Sequence, residues 1–162
     1  MQKKTPYSLV EAQKKLEHYC AYQERCHLEV IQKLRQMKMV PVAIDTIISQ
    51  LIQDNYLNET RFAQSYARGK FRIKKWGKER ITRELKQRQI SAFNIKIALK
   101  EISEEAYQET LWEIASKFWQ SHENKPLLLR KKKVIDALRY RGWESSGIYP
   151  VLQELENKTK PQ

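Results

Sequence analysis

The chain has 162 residues, with 31 Lys plus Arg against 19 Asp plus Glu, a formal charge of +12 and a mean hydropathy of −0.74. Its longest apolar run, Met39 to Ile44, is far below the roughly 20 residues of a membrane span; Met1 to Pro6 opens no secretory signal, and Cys20 and Cys26 alone make no disulfide framework, so the expectation is a soluble cytoplasmic protein. Four glycines and five prolines are too few turn signals for an all-β chain, and the rest is rich in good helix formers, so the expected fold class is all-α.

Residues 1–7 read as a tail. The first helix is expected from about Ser8 to Tyr22. Two more follow, marked by Val30, Leu34, Met39, Ile44, Ile48 and Leu51. Steps of 3 and 4 are neighbours on one helix face, and the steps of 5 mark the break between two helices. Pro41 suits the first turn of the third helix. Together these make a unit over 8–57.

The second unit, 58–102, opens with a helix from Asn58 to about Lys75, with Asn58 as cap and Glu59 in the first turn. Its pair carries Ile81, Leu85, Ile90, Ile95, Leu99 and Ile102, with Ser91 as cap. The third unit, 103–157, opens at Ser103, which caps a helix to about Ser121 with Glu104 and Glu105 complementing the dipole. Its pair carries Val134, Leu138, Trp143, Ile148, Leu152 and Leu155. All three sets share one spacing, so the chain is an internal repeat. Arg141-Gly142 supplies a left-handed stop. Pro150 implies a late start or a kink in the ninth helix, and 158–162 read as a tail. The expected architecture is nine helices in three tandem helix-turn-helix-like units, elongated and curved.

The charge is uneven. Residues 61–88 hold 11 basic and 2 acidic groups, and residues 125–141 hold 7 and 1. Clustered cations on ordered elements are the footprint of a polyanion or an acidic protein surface. Both blocks fall at matching places in the repeat, and such a modular basic chain suits a long groove better than a closed pocket.

Catalytic chemistry is not legible. Walker, dinucleotide-binding and HExxH patterns are missing. His18, Cys20, Cys26 and His27 have no zinc spacing and read as half-buried thiols and surface imidazoles; His122 stands alone. Glu104-Glu105 and the acidic residues from Asp54 to Glu59 read as helix starts. No catalytic residue, metal or cofactor is expected, and an enzyme is the most remote reading. Trp143, Trp112 and Trp119 read as core. Trp76, beside Gly77 among cations, is the aromatic to test for partner contact.

Several segments match a known family. Asn55-Tyr56-Leu57-Asn58-Glu59-Thr60-Arg61-Phe62-Ala63, then Lys75-Trp76-Gly77-Lys78-Glu79-Arg80-Ile81 with Glu84-Leu85, resembles the "GYLDDxRFA" and "KGxxRIxxEL" segments of the RecX family. Leu138 to Trp143 is similar to that family's "LxxRGF/Y", and Arg25 to Leu34 to its "RSxxELxxKL". The resemblance spans about residues 8 to 155. Cys26 stands where a capping Ser is usual, Asn58-Glu59 replaces Asp-Asp, and Arg88-Gln89-Ile90 lacks a Gly before the apolar residue.

The resemblance implies a non-catalytic, monomeric modulator of the RecA recombinase, acting in recombination, DNA repair and the SOS response. Such proteins lie along the groove of the RecA–DNA filament and hinder its ATPase and strand exchange; some also bind DNA. On that basis the expected contacts are Arg68, Lys70, Arg72, Lys74, Lys75, Trp76, Lys78, Arg80 and Arg83, with Arg130, Lys131, Lys132, Lys133, Arg139 and Arg141 from the last unit. They would meet acidic RecA surface or DNA phosphate. Two other readings stay open: a stand-alone DNA-binding module, and a scaffold for another acidic protein.

Overall fold

The computed structural model describes residues 6–160. Most of the stretch read for a signal, and parts of both expected tails, lie outside them. Among the described residues the regular structure is nine α-helices: α1 (Leu9–Tyr22), α2 (His27–Gln36), α3 (Pro41–Gln53), α4 (Glu59–Lys74), α5 (Lys78–Gln87), α6 (Ala92–Leu99), α7 (Glu104–Ser121), α8 (Leu127–Tyr140) and α9 (Ser145–Thr159).

The helix starts follow from local chemistry. Asn58, Ser91 and Ser103 accept the backbone N–H groups of Arg61, Asn94 and Ala106 at 2.9, 3.1 and 3.1 Å, and Ser8 caps α1 in the same way. Pro41 takes the first position of α3, where its missing N–H costs nothing. Two expectations change. Helix α9 begins at Ser145 and runs through Pro150, so there is no late start; Pro150 lies early in the helix and is exposed, away from the packed face. Its last turn reaches Thr159, two residues into the expected tail.

The repeat extends to backbone geometry. Lys38, Gln89 and Gly142 have φ of 62°, 60° and 88°, and they recur at the offsets of the apolar pattern. After each, a backbone N–H reaches five residues back: Met39 to Leu34, Ile90 to Leu85 and Trp143 to Leu138, all at 3.1 Å. This is the left-handed helix stop. Only the third uses glycine; a residue with a Cβ is held in that region at a cost of about 1–2 kcal/mol. Gln89→Gly is therefore expected to stabilise the chain by about 0.5–1 kcal/mol. A urea midpoint that fails to rise, at unchanged slope, would contradict this account of the turn.

In each set of three helices the first lies chiefly on the third: α1 on α3, α4 on α6, α7 on α9. The spaced apolar positions meet in between. All six of the last set are buried, as are Ile81, Leu85, Ile90, Ile95 and Ile102. In the first set Met39 and Ile48 are only partly buried, and Met37 and Ile47 complete the core. Trp143 and Trp119 are buried, while Trp112 is partly buried against the core. Cys20 and Cys26 are fully in the interior, deeper than half-buried.

The buried residues form two cores. One belongs to α1–α3 and closes with Leu57. The other is continuous through α4–α9 and takes in Cys26 and Leu28 from the start of α2.

Candidate functional site

The two basic blocks meet where the α4–α5 link crosses the α8–α9 turn. Gly77 N–H donates to Arg141 O at 2.8 Å and Glu79 N–H to Gly142 O at 3.1 Å. Trp143 Nε1–H donates to Lys75 O at 3.0 Å, and Arg80 Nη1 to Tyr140 O at 3.2 Å. The unpaired N–H groups at the start of α5 thus meet the unpaired carbonyls at the end of α8. The approach needs two glycines. A Cβ on Gly77 would lie 2.6 Å from Trp143 N and nearer still to the Gly142 carbonyl; one on Gly142 would lie 2.8 Å from Arg80 Cα.

Tyr107 of α7 completes the joint from below. Its hydroxyl accepts the Lys78 N–H at 2.9 Å and donates to the Glu144 carboxylate at 2.8 Å. It therefore caps α5, whose own cap residue, Gly77, has no side chain to do so. Burial, with the Glu144 carboxylate adding to it, holds this phenol well above its usual range despite the Lys78 N–H. Its ring stacks on Trp143, centroids 4.5 Å apart.

The expected contact residues divide around this joint. Arg80 stacks between Trp76 and Tyr140, 4.2 and 4.9 Å from their centroids. Lys70 also lies over Trp76, at 5.0 Å, so that half-buried ring is clothed by cations. Lys78 sits over Tyr107 at 4.5 Å and 3.8 Å from Glu104. Arg141 covers Phe118 at 4.7 Å and donates to Ala137 O. Arg139 donates to Ser145 Oγ at 2.8 Å and Tyr149 OH at 3.1 Å. Arg68 pairs with Glu101 at 3.3 Å, Lys131 with Glu156, and Lys132 with Asp136 at 3.1 Å.

Arg130, also expected as a contact, lies inside the fold. It is 8% exposed; its Nε–H donates to Trp119 O at 2.8 Å and its guanidinium lies 3.7 Å from the centre of the Trp119 ring. It joins α8 to α7. Arg72, Lys74, Arg83 and Lys133 are exposed and have no ion pair among the described residues. Lys75, half-exposed, is the left-handed end of α4 with φ 58°. Lys86, on the exposed side of α5 beside Arg83, belongs with these free cations. Its membership of the 61–88 block was the signal for it. Tyr140, 70% exposed beside Arg80, had none beyond its position between Arg139 and Arg141.

No group of His, Cys, Asp and Glu among the described residues is gathered as a metal site. No helix among them is long and apolar enough to cross a membrane.

Residues 58–99 match the family model described as the second three-helix domain of RecX. Regulatory protein RecX of Bacillus cytotoxicus is 27% identical over 140 residues, which cover 86% of this chain and 52% of that protein. The same figures hold for regulatory protein RecX of Bacillus cereus strain AH820. The chain is thus similar to RecX proteins over most of its length, and residues 58–99 carry a RecX-type domain. The chain spans about half the length of these curated RecX relatives.

Solved structures show the same fold. A crystal structure of regulatory protein RecX superposes with a TM-score of 0.81 at 24% identity, covering 90% of this chain and 73% of that one. RecX from Lactobacillus salivarius also gives 0.81, at 23% identity, covering 92% and 97%. The domain matched to the RecX model holds α4, α5 and α6, hence the larger basic block.

Proposed function

We propose that this chain regulates the RecA recombinase without catalysing a reaction. Its basic faces seat in the groove of the RecA–DNA filament, bridging successive subunits. A bridge of that kind opposes the motions that couple ATP hydrolysis to strand exchange, so both are inhibited. Three units, 8–57, 58–102 and 103–157, would lie along the groove, one cytoplasmic monomer at a time.

The observation that carries this reading is the meeting of the two basic blocks at Gly77 and Arg141, in a chain that matches the RecX second three-helix domain. Blocks separated by 36 residues of sequence are brought into contact. The joint itself occupies Lys78, Arg80 and Arg141, so the docking charge is assigned to the exposed cations of the two blocks that have no ion pair among the described residues: Arg72, Lys74, Arg83, Lys86 and Lys133.

The test separates docking from folding. Arg72, Lys74, Arg83 and Lys133 are changed together to Glu, which alters no pairing in the structure. Thermal unfolding should move little, as for exposed substitutions generally. The concentration that half-inhibits single-strand-DNA-dependent RecA ATPase should rise at least about tenfold, which is about 1.4 kcal/mol of binding. Undiminished inhibition by the folded variant would overturn the assignment. If the chain binds naked DNA as tightly as RecA–DNA, with a salt slope near −0.9 per phosphate contacted, the stand-alone DNA-binding reading replaces it.

A further inference from the structure

The geometry points to a built-in hinge: α4–α9 form one rigid body, and α1–α3 form an arm held against it by a polar latch centred on Arg61.

The two boundaries between helix sets are made differently. Across the α6–α7 boundary runs one apolar core, from Phe62 to Leu155. The Gly77–Gly142 crossing adds two backbone hydrogen bonds and an approach that leaves no room for a Cβ. Close-packed interiors of this kind do not deform gradually. At the α3–α4 boundary each side closes its own core. The apolar residues crossing it are Cys26 and Leu28, which pack against the second core. No backbone–backbone bond spans it among the described residues.

The remaining ties across it are polar. Arg61, on the first turn of α4, donates from Nε to Glu24 Oε1 at 2.6 Å, from Nη1 to Asn55 Oδ1 at 3.1 Å, and from Nη2 to Asn55 O and Tyr56 O at 3.0 and 3.3 Å. One guanidinium therefore ties the α1–α2 link and the α3–α4 link to α4. Glu59 adds a second tie: it accepts the His27 N–H at 3.2 Å, capping α2 where Cys26 does not. Asn55 itself is a left-handed residue, φ 63°, placed where the chain turns between the bodies.

The strengths of the two boundaries differ in kind. Arg61 and Glu24 are about a third exposed, so their pairing is weakened by water and by salt. The other Glu24 oxygen is buried with no hydrogen-bond partner among the described residues, which offsets part of the gain. Releasing the latch leaves the α1–α3 core intact. An arm so held can change its angle while both bodies stay folded, as hinge motions do. This holds whichever partner the basic faces take, so it stands or falls apart from the function proposed above.

Pulsed dipolar spectroscopy on doubly spin-labelled protein tests it. One pair is Ser49→Cys with Lys96→Cys, across the proposed hinge. The other is Lys96→Cys with Glu109→Cys, within the rigid body. All three positions are exposed. The native thiols compete poorly for label, because burial pushes both Cys20 and Cys26 up to about 11. In Arg61→Ala the first distance distribution should at least double in width while the second stays unchanged. One molar salt on the parent should broaden the first alone, by less. An unchanged first width in Arg61→Ala, equal broadening of both pairs, or a parent distribution already as broad as the variant's would overturn the inference. Should Arg61→Ala fail to fold, Glu24→Gln carries the same expectation and the same refutations.

Discussion

Gly77→Ala is expected to lower stability by roughly 3–5 kcal/mol, and the melting temperature by roughly 6–20 °C at the 2–4 °C per kcal/mol of a chain this size. The new methyl would meet the Gly142 carbonyl and the Trp143 nitrogen. Both are backbone, so no rotamer change relieves the clash, and the α4–α5 link must lift off the α8–α9 turn. That lengthens the Gly77–Arg141 and Glu79–Gly142 hydrogen bonds, each worth about 1 kcal/mol. It also strains the packed joint, at about 1–3 kcal/mol. Gly77 has φ −78°, a conformation open to any residue, so the glycine is there for space alone. Gly69→Ala is the control. Its Cβ would have nothing within 4 Å, and it lies inside α4, so it should stabilise by about 0.5–1 kcal/mol. Equal melting temperatures for the two variants would refute the close-approach reading.

Gly77 also marks where the sequence stopped being readable. Its neighbours, Trp76 and the surrounding cations, suggested a partner-binding spot. Its cause is Gly142, 65 positions away, and no local pattern announces so distant a crossing. Periodicity behaved differently. The repeated apolar positions named nearly half of the buried core, since 3- and 4-residue steps put side chains on one helix face. The caps Asn58, Ser91 and Ser103 were legible because a cap bonds within three residues. The caps supplied from elsewhere were not. Cys26 reads as a helix start without its cap, yet Glu59 of α4 supplies the missing acceptor. Gly77 cannot cap at all, and Tyr107 of α7 does so.

The same limit explains the basic blocks. Composition located the charge but could not separate cations that hold the fold from cations left for a partner. Arg130 lies in an unbroken run with Lys131, Lys132 and Lys133. Helical geometry turns it inward onto Trp119 and leaves Lys133 outside. Arg80, expected as a contact residue, also stacks between Trp76 and Tyr140 and so helps hold the joint. A reversal of charge at Arg80 would therefore test stability and docking together, whereas Arg72, Lys74, Arg83 and Lys133 test docking alone.

Trp143→Ala should be the most damaging single truncation. Trp143 is fully buried, heads the largest side chains of the core, and stacks on Tyr107. Removing it costs about 3–5 kcal/mol in lost burial and cavity. It also leaves the Lys75 carbonyl without its indole donor, a further ~1–3 kcal/mol if that oxygen stays dry. Against a total stability of about 5–15 kcal/mol, that loss is enough to unfold much of α4–α9. The α1–α3 core shares no buried residue with this one, so the two should separate. Hydrogen exchange should show protection collapsing from α4 to α9 while α1–α3 retains most of its own. Trp143→Phe keeps much of the packing and loses the indole N–H, so about 1–3 kcal/mol is expected. Uniform loss of protection along all nine helices in Trp143→Ala would mean that the two cores unfold as one.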